Sequence, residues 1–192
     1  MTSLMLASEI VKRPVVTLAG EVVAQVKDIV FDGAEGCLTG FTLNGCGLFS
    51  GPLGHALPWS GVTALGSHAV VIRDETVFEQ ASVVTDRDRA GGGDVLGARL
   101  LTDVGTDLGK VIDVVIGVTM STQPSARVVG CRITSTEALG HHQRPVFVPL
   151  PATMAVSDEL LLVPAAASEF ITEELPGFAT ALQGFRARLQ EA

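Results

Sequence analysis

The stretch GEVVAQVKDIVFD, residues 20–32, has an echo in GTDLGKVIDVVIG, residues 105–117. Each opens on glycine, puts a small residue four positions on (Ala24, Gly109), a valine two further (Val26, Val111) and an aspartate inside an apolar run (Asp28, Asp113). These pairs are all 85 positions apart. The correspondence continues downstream, with Gly40 matching Gly130 at a spacing of 90, and Pro58 matching Pro149 and Ala64 matching Ala155 at 91. The first lengthening falls at the turn-like STQPSA, residues 121–126, because loops tolerate insertions that strands do not. A unit this long is too large for a solenoid repeat and suits a small domain.

Within each copy, short β-rich runs are punctuated by glycine and proline. The first copy offers VVT, VVAQVKDIVF, LTGFTL, ALPW, VTAL and AVVIR; the second offers ARLL, DLGKVIDVVI, RVVGCRI, VFVPL and ELLLV in corresponding places. About six short strands with tight turns predict a small barrel in each copy, since a closed sheet hides its edges within few residues. Gly20 and Gly105 fit hairpin turns that demand positive φ. Ala24 and Gly109 fit a strand that must bend or admit another backbone. Pro58 and Pro149 fit short or edge strands, and Val26, Val111, Ile72 and Val163 are core candidates.

Composition narrows the role. With 47% hydrophobic residues the chain can close real cores, and a net charge of -8 gives no general field for phosphates. No segment is basic: residues 1–80 carry four basic against eight acidic residues, 94–164 five against seven, and 165–192 two against four. No direct nucleic-acid contact is expected. Cys37, Cys46 and Cys131 are odd in number and form no CxxC pair, which suits a reducing cytoplasm better than a disulfide framework. The first fifteen residues lack the pattern of a secretory signal, and VIDVVIGV is far short of a membrane span, so a soluble protein without membrane insertion is expected.

The pattern G-x-x-[VL]-[AG]-x-V-x-D, then glycine before an apolar strand, then ALPW or VFVPL, then a short apolar strand, resembles the PRC-barrel family. The resemblance covers residues 6–78 and 92–165. Members include the cytoplasmic domain of the photosynthetic reaction centre H subunit and the C-terminal domain of a ribosome maturation factor. The chain departs from both: it has no membrane-spanning helix ahead of the barrel, and the first copy begins close to Met1. What the resemblance implies is a protein-binding adaptor without catalytic chemistry.

Asp28 and Asp113 sit among apolar neighbours, where a carboxylate needs hydrogen bonds or solvent, and backbone amides at a turn or bulge would supply them. His55 follows LG in the first copy and His141 follows LG in the second, with His142 beside it; ligand spacing for a metal is otherwise missing. Cys131 aligns with Phe41, so it reads as a core residue, and Ser50 lies in no nucleophile elbow. GTDLGK has three residues between its glycines where a phosphate loop needs four, and DRDRAG lacks the acid that closes a calcium loop. No catalytic, cofactor or metal residue is assigned.

Two stretches look like recognition surfaces. Leu48, Phe49 and Leu53 fall in the glycine-rich GCGLFSGPLGH, residues 45–55, which reads as a loop. In the tail, Phe178, Leu182, Phe185 and Leu189 recur at four, three and four residues, one stripe of a helix, with Pro176 and Gly177 setting it apart from a shorter helical turn before it. At about 1.5–3 kcal/mol per large side chain buried, the stripe must pack on its own barrels, a second subunit or a client. The sequence therefore predicts an all-β protein: a PRC-barrel domain at residues 1–80, a linker at 81–93, a second such domain at 94–165 and a helical tail at 166–192. The expected function is a non-enzymatic adaptor that binds a protein partner or forms a homo-oligomer. The alternative is an accessory factor in RNA processing or ribosome assembly that acts through protein contacts.

Overall fold

The computed structural model describes residues 2–32, 35–47, 50–85, 95–121, 124–140, 143–152, 155–156 and 159–191. The chain is mostly β. It opens with strand β1 (Thr2–Leu6), a turn of helix α1 (Ala7–Ile10), then β2 (Pro14–Thr17), β3 (Val22–Asp32), β4 (Cys37–Asn44), β5 (Pro52–Pro58), β6 (Val62–Leu65), β7 (Val70–Ile72), the short β8 (Glu79–Gln80) and helix α2 (Ala81–Thr85). It continues through β9 (Arg99–Thr102), β10 (Asp107–Thr119), β11 (Ser125–Ser135), β12 (Pro145–Pro149), β13 (Ala155–Val156), β14 (Leu160–Val163) and helix α3 (Leu175–Glu191). Short 3-10 turns at Glu75–Val77 and Ala165–Phe170 follow β7 and β14.

The sheet is wired in the same way in both halves. In the first, β2–β3, β3–β4, β4–β5 and β6–β7 pair antiparallel, and β2 pairs parallel with β7. In the second, β9–β10, β10–β11, β11–β12 and β13–β14 pair antiparallel, and β9 pairs parallel with β14. The parallel pair brings β2 to β7 in one half and β9 to β14 in the other and curls the sheet.

Local chemistry dictates this wiring at matched positions. Gly20 and Gly105 both turn at positive φ, 87° and 85°, in the region that favours glycine. Just before them, the Thr17 and Thr102 hydroxyl oxygens accept from the amides of Glu21 and Thr106, which pins each hairpin. The long strand bulges between Val26 and Asp28 in the first half and between Val111 and Asp113 in the second. A second bulge follows at Val30/Phe31 and at Val115/Ile116. Such extra residues bend a strand and increase its twist, as a curled sheet of few strands requires.

The halves meet where Arg127 of β11 pairs antiparallel with Cys37 of β4. These two residues are 90 positions apart, the same spacing as Gly40 and Gly130, so each faces its own counterpart. The Trp59 indole N–H donates to the Pro124 carbonyl across the same junction at 3.1 Å. One large apolar core runs through both halves, holding Val26, Phe41 and Ile72 together with Val111, Cys131 and Val163.

Several details differ from the sequence reading. Residues 2–6, assigned to the first domain, form a strand that pairs with β10 of the second half from Thr2↔Thr119 to Leu6↔Val115. Of the expected linker at 81–93, Ala81–Thr85 is helical and its Val84 is fully buried; residues 86–94 lie outside the described residues. Pro176 does not separate two helical pieces but sits in the first turn of α3, where its missing N–H costs nothing. Leu53 lies in strand β5 rather than in a loop.

Candidate functional site

Each half has an outer face over its long strands, and the segment following the last strand covers it. In the first half, α2 lays Val84 against Val30 and Ala56. In the second, α3 lays Phe178 and Leu182 against Val115, Val129 and Phe147. Gly40 and Gly130 make room for these covers. A methyl on Gly40 would meet Val84 Cγ1 at 2.8 Å, and one on Gly130 would run into the Phe178 ring. The covering segments are matched before the helices as well: β8 pairs with β5 through Ala56↔Glu79, and Thr172 bridges Phe147 of β12.

The tail stripe is therefore spent inside the chain. Phe178 and Phe185 are fully buried, Leu182 is buried, and Leu189 packs on the main core. Phe178 lies 6.0 Å from Phe147, centroid to centroid, and Phe185 lies 5.9 Å from Phe170, both tilted as aromatic quadrupoles prefer. Of the choices open in the sequence, packing on the chain's own sheet is the one taken. Phe178, Leu182 and Phe185 have little surface left to offer a partner while α3 is seated, and Leu189 is half-buried. Leu53 is half-buried and packs on the core; Leu48 and Phe49 lie outside the described residues.

The aspartates that repeat in sequence part company in space. Asp113 is 6% exposed, and its carboxylate accepts from the Ser8 amide at 3.2 Å, from the Ser8 hydroxyl and from the Val114 amide at 2.8 Å. It thus fastens α1, and through it β1, to the second half. Asp28 has a side chain 65% exposed, with Lys27 at 3.6 Å. Its bulge is the same, but no counterpart of Ser8 reaches it among the described residues.

Cys131 is fully buried and desolvation pushes its thiol pKa up, which keeps it protonated and inert. Cys37, half of the pair that joins the two halves, has its sulfur 3.1 Å from the Arg127 guanidinium. His55 is exposed on β5; His141 and His142 lie outside the described residues. Among the described residues, no three His, Cys, Asp or Glu converge as a metal site would need. A shallow open depression of about 490 Å³ is lined by Asp107, Ser135, Thr136, Glu137, Ala138 and Gln143. No helix among the described residues is long and apolar enough to cross a membrane.

Two features escaped the sequence reading. Arg13 is buried with one N–H donating to the Gly66 carbonyl; desolvation lowers its pKa, and the charge of Glu9 offsets part of that. Its position opposite Val26 gives no sign of this. The second is β1, whose TSLML has no turn signal to announce a strand and whose partner lies more than a hundred positions away.

Comparison with known proteins bears on the first half directly. Among curated proteins none matches the chain. Residues 3–77, which hold β1 to β7 and the 3-10 turn after them, match the family model of the PRC-barrel domain.

Proposed function

We propose that the chain is a tandem of two PRC-type barrels acting as a non-enzymatic adaptor, which binds a protein partner or a second copy of itself. The family match at residues 3–77 carries this reading. The repetition of the same strand order, the same bulges and the same turn glycines in the second half supports extending it across residues 94–165. The groups a reaction would recruit have structural duties instead: Asp113 anchors α1, and Cys131 fills the core where Phe41 stands in the other half. The unpaired cysteine usage favours work in the cytoplasm.

Purification of the tagged chain under native conditions tests the reading. Recovery of one stable protein partner, or of a discrete homo-oligomer by light scattering, unchanged by nuclease, is the expected result. Co-sedimentation with small-subunit ribosomal particles would move the reading to the assembly-factor alternative. Stoichiometric turnover of a small molecule by the purified chain would overturn it.

A further inference from the structure

Strand β1 occupies a site on the edge of β10, and among the described residues no strand lies on the matching edge of β3. Strand β10 pairs with β9 along one part of an edge, from Asp107 to Lys110, and with β1 along another, from Val115 to Thr119. Strand β3 repeats the first pairing, with β2 from Val22 to Gln25. Beyond Asp28, among the described residues, no strand pairs with the edge of β3 that β2 leaves. The burial record agrees. Val114 and Ile116 are buried at 5% and 0% exposure, whereas their counterparts Ile29 and Phe31 are only half-buried. At the head of the site, Asp113 is satisfied by Ser8, while Asp28 holds its carboxylate in solvent.

We infer that the β3 edge from Asp28 to Phe31 is a strand-acceptor site for an extended segment of a partner protein, which adds antiparallel as β1 does on β10. This rests on the adaptor reading and gives it an address. Main-chain hydrogen bonds supply much of the affinity in such additions, and flanking apolar pockets supply the choice of sequence. The fitting segment is apolar on the face that meets the half-buried Ile29 and Phe31, since on the other face Val30 is already buried under Val84. It then turns to offer a backbone N–H and a hydroxyl to Asp28. In β1 the matching demands are met by Met5, which packs in the same cluster as Val114 and Ile116, and by Ser8 after it. A second copy fits less well. Antiparallel pairing of two β3 edges about Val30 would set Asp28 opposite Asp32 of the other chain, and like charges directly opposite are unfavourable.

The probe is a synthetic peptide, TSLMLASEI, added to the full-length protein. We expect one peptide to bind per chain, with hydrogen exchange slowing at residues 28–31, which in the free protein exchange faster than 113–116. Asp28→Ala, at an exposed position, should leave the melting temperature unchanged and weaken peptide binding about tenfold or more, the scale of a hydrogen bond to a charged group. A peptide with alanine in place of its serine should lose a similar factor on the parent protein and little more on Asp28→Ala, the coupling expected of direct contact. Protection of 28–31 in the free chain equal to that of 113–116, a footprint on 113–119 instead, or indifference to Asp28→Ala would each overturn the site. If a native partner is still recovered by Asp28→Ala at full strength, the adaptor reading stands and this edge falls.

Discussion

The two halves of the chain share a sheet and differ in its cover. Over the first, α2 contributes one buried valine to a cluster of three residues, Val30, Ala56 and Val84. Over the second, α3 and β1 together build a cluster around Phe178, with Leu6, Val115, Val129, Phe147 and Leu182. The turn glycines, the threonine hydroxyls and the bulges are held in common because each is a local requirement of the curled sheet. What lies on top satisfies only a demand for apolar area, which many segments can meet. The two halves thus keep one frame and differ in what lies on it.

The sharpest way to break this comparison is to strip both covers. Phe178→Ala should cost about 3–5 kcal/mol, since it empties a fully buried aromatic site that Gly130 shapes. Val84→Ala at the matching place should cost roughly 1–2 kcal/mol, near the transfer value of the two carbons lost. Urea denaturation followed by circular dichroism gives both numbers. Equal losses would mean that the two covers contribute alike and that the asymmetry is only one of size.

The next test exchanges the frame residues. Gly109 has φ of 146°, and a methyl on it would strike the Thr134 carbonyl, yet its counterpart Ala24 carries a methyl and is fully buried. Gly109→Ala should therefore cost about 2–3 kcal/mol through backbone strain and overpacking, and Ala24→Gly about 0.5–1 kcal/mol through chain entropy. If both changes cost the same in urea denaturation, the bend at this point is alike in the two halves and the glycine is not required by it.

How far the sequence could be read follows from the same distinction. Gly20, Gly105, Val26, Val111, Ile72 and Val163 were legible because a turn or an inward-facing strand position imposes its residue type locally. The stripe from Phe178 to Leu189 was legible as something to be buried, but spacing along a helix says nothing about the surface that receives it. Only the tertiary fold supplies that surface, including the gap at Gly130. Strand β1 was missed for a related reason: its pairing with Val115 to Thr119 is decided by the edge left vacant by β9, a property of the assembled sheet. The loop expected at Leu53 is a strand instead, because the glycines around it signal a turn locally whereas β4 and β8 recruit Pro52–Pro58 into the sheet.

A smaller effect separates the repeated aspartates. Asp113→Ala removes a buried carboxylate and leaves the Ser8 and Val114 donors unmatched, at about 1–2 kcal/mol. Asp28→Ala, on an exposed side chain, should fall within about 0.5 kcal/mol of the parent. The measured difference reports how firmly α1 and β1 are tied to the second half, and hydrogen exchange in residues 2–6 should accelerate in the Asp113 variant alone. Unchanged exchange there would show that strand pairing, without the carboxylate, holds β1 in place.

The smallest effect concerns the core position where Phe41 in one half meets Cys131 in the other. Burial raises the Cys131 thiol pKa above its ordinary value near 9.0, whereas in the unfolded chain the thiol ionises normally. The unfolded state then binds fewer protons than the folded one at alkaline pH, so this contribution to stability is intact below pH 9 and declines above it. By pH 9.5 the loss is about 0.8 kcal/mol, set by the fraction of unfolded thiol that has ionised. Cys131→Val conserves most of the volume and should flatten that share of the decline between pH 8 and 9.5 in thermal unfolding, since valine, like Phe41 at the matching position, has nothing to ionise. An unaltered slope in the variant would place the alkaline sensitivity elsewhere, and the two core positions would then differ in shape but not in chemistry.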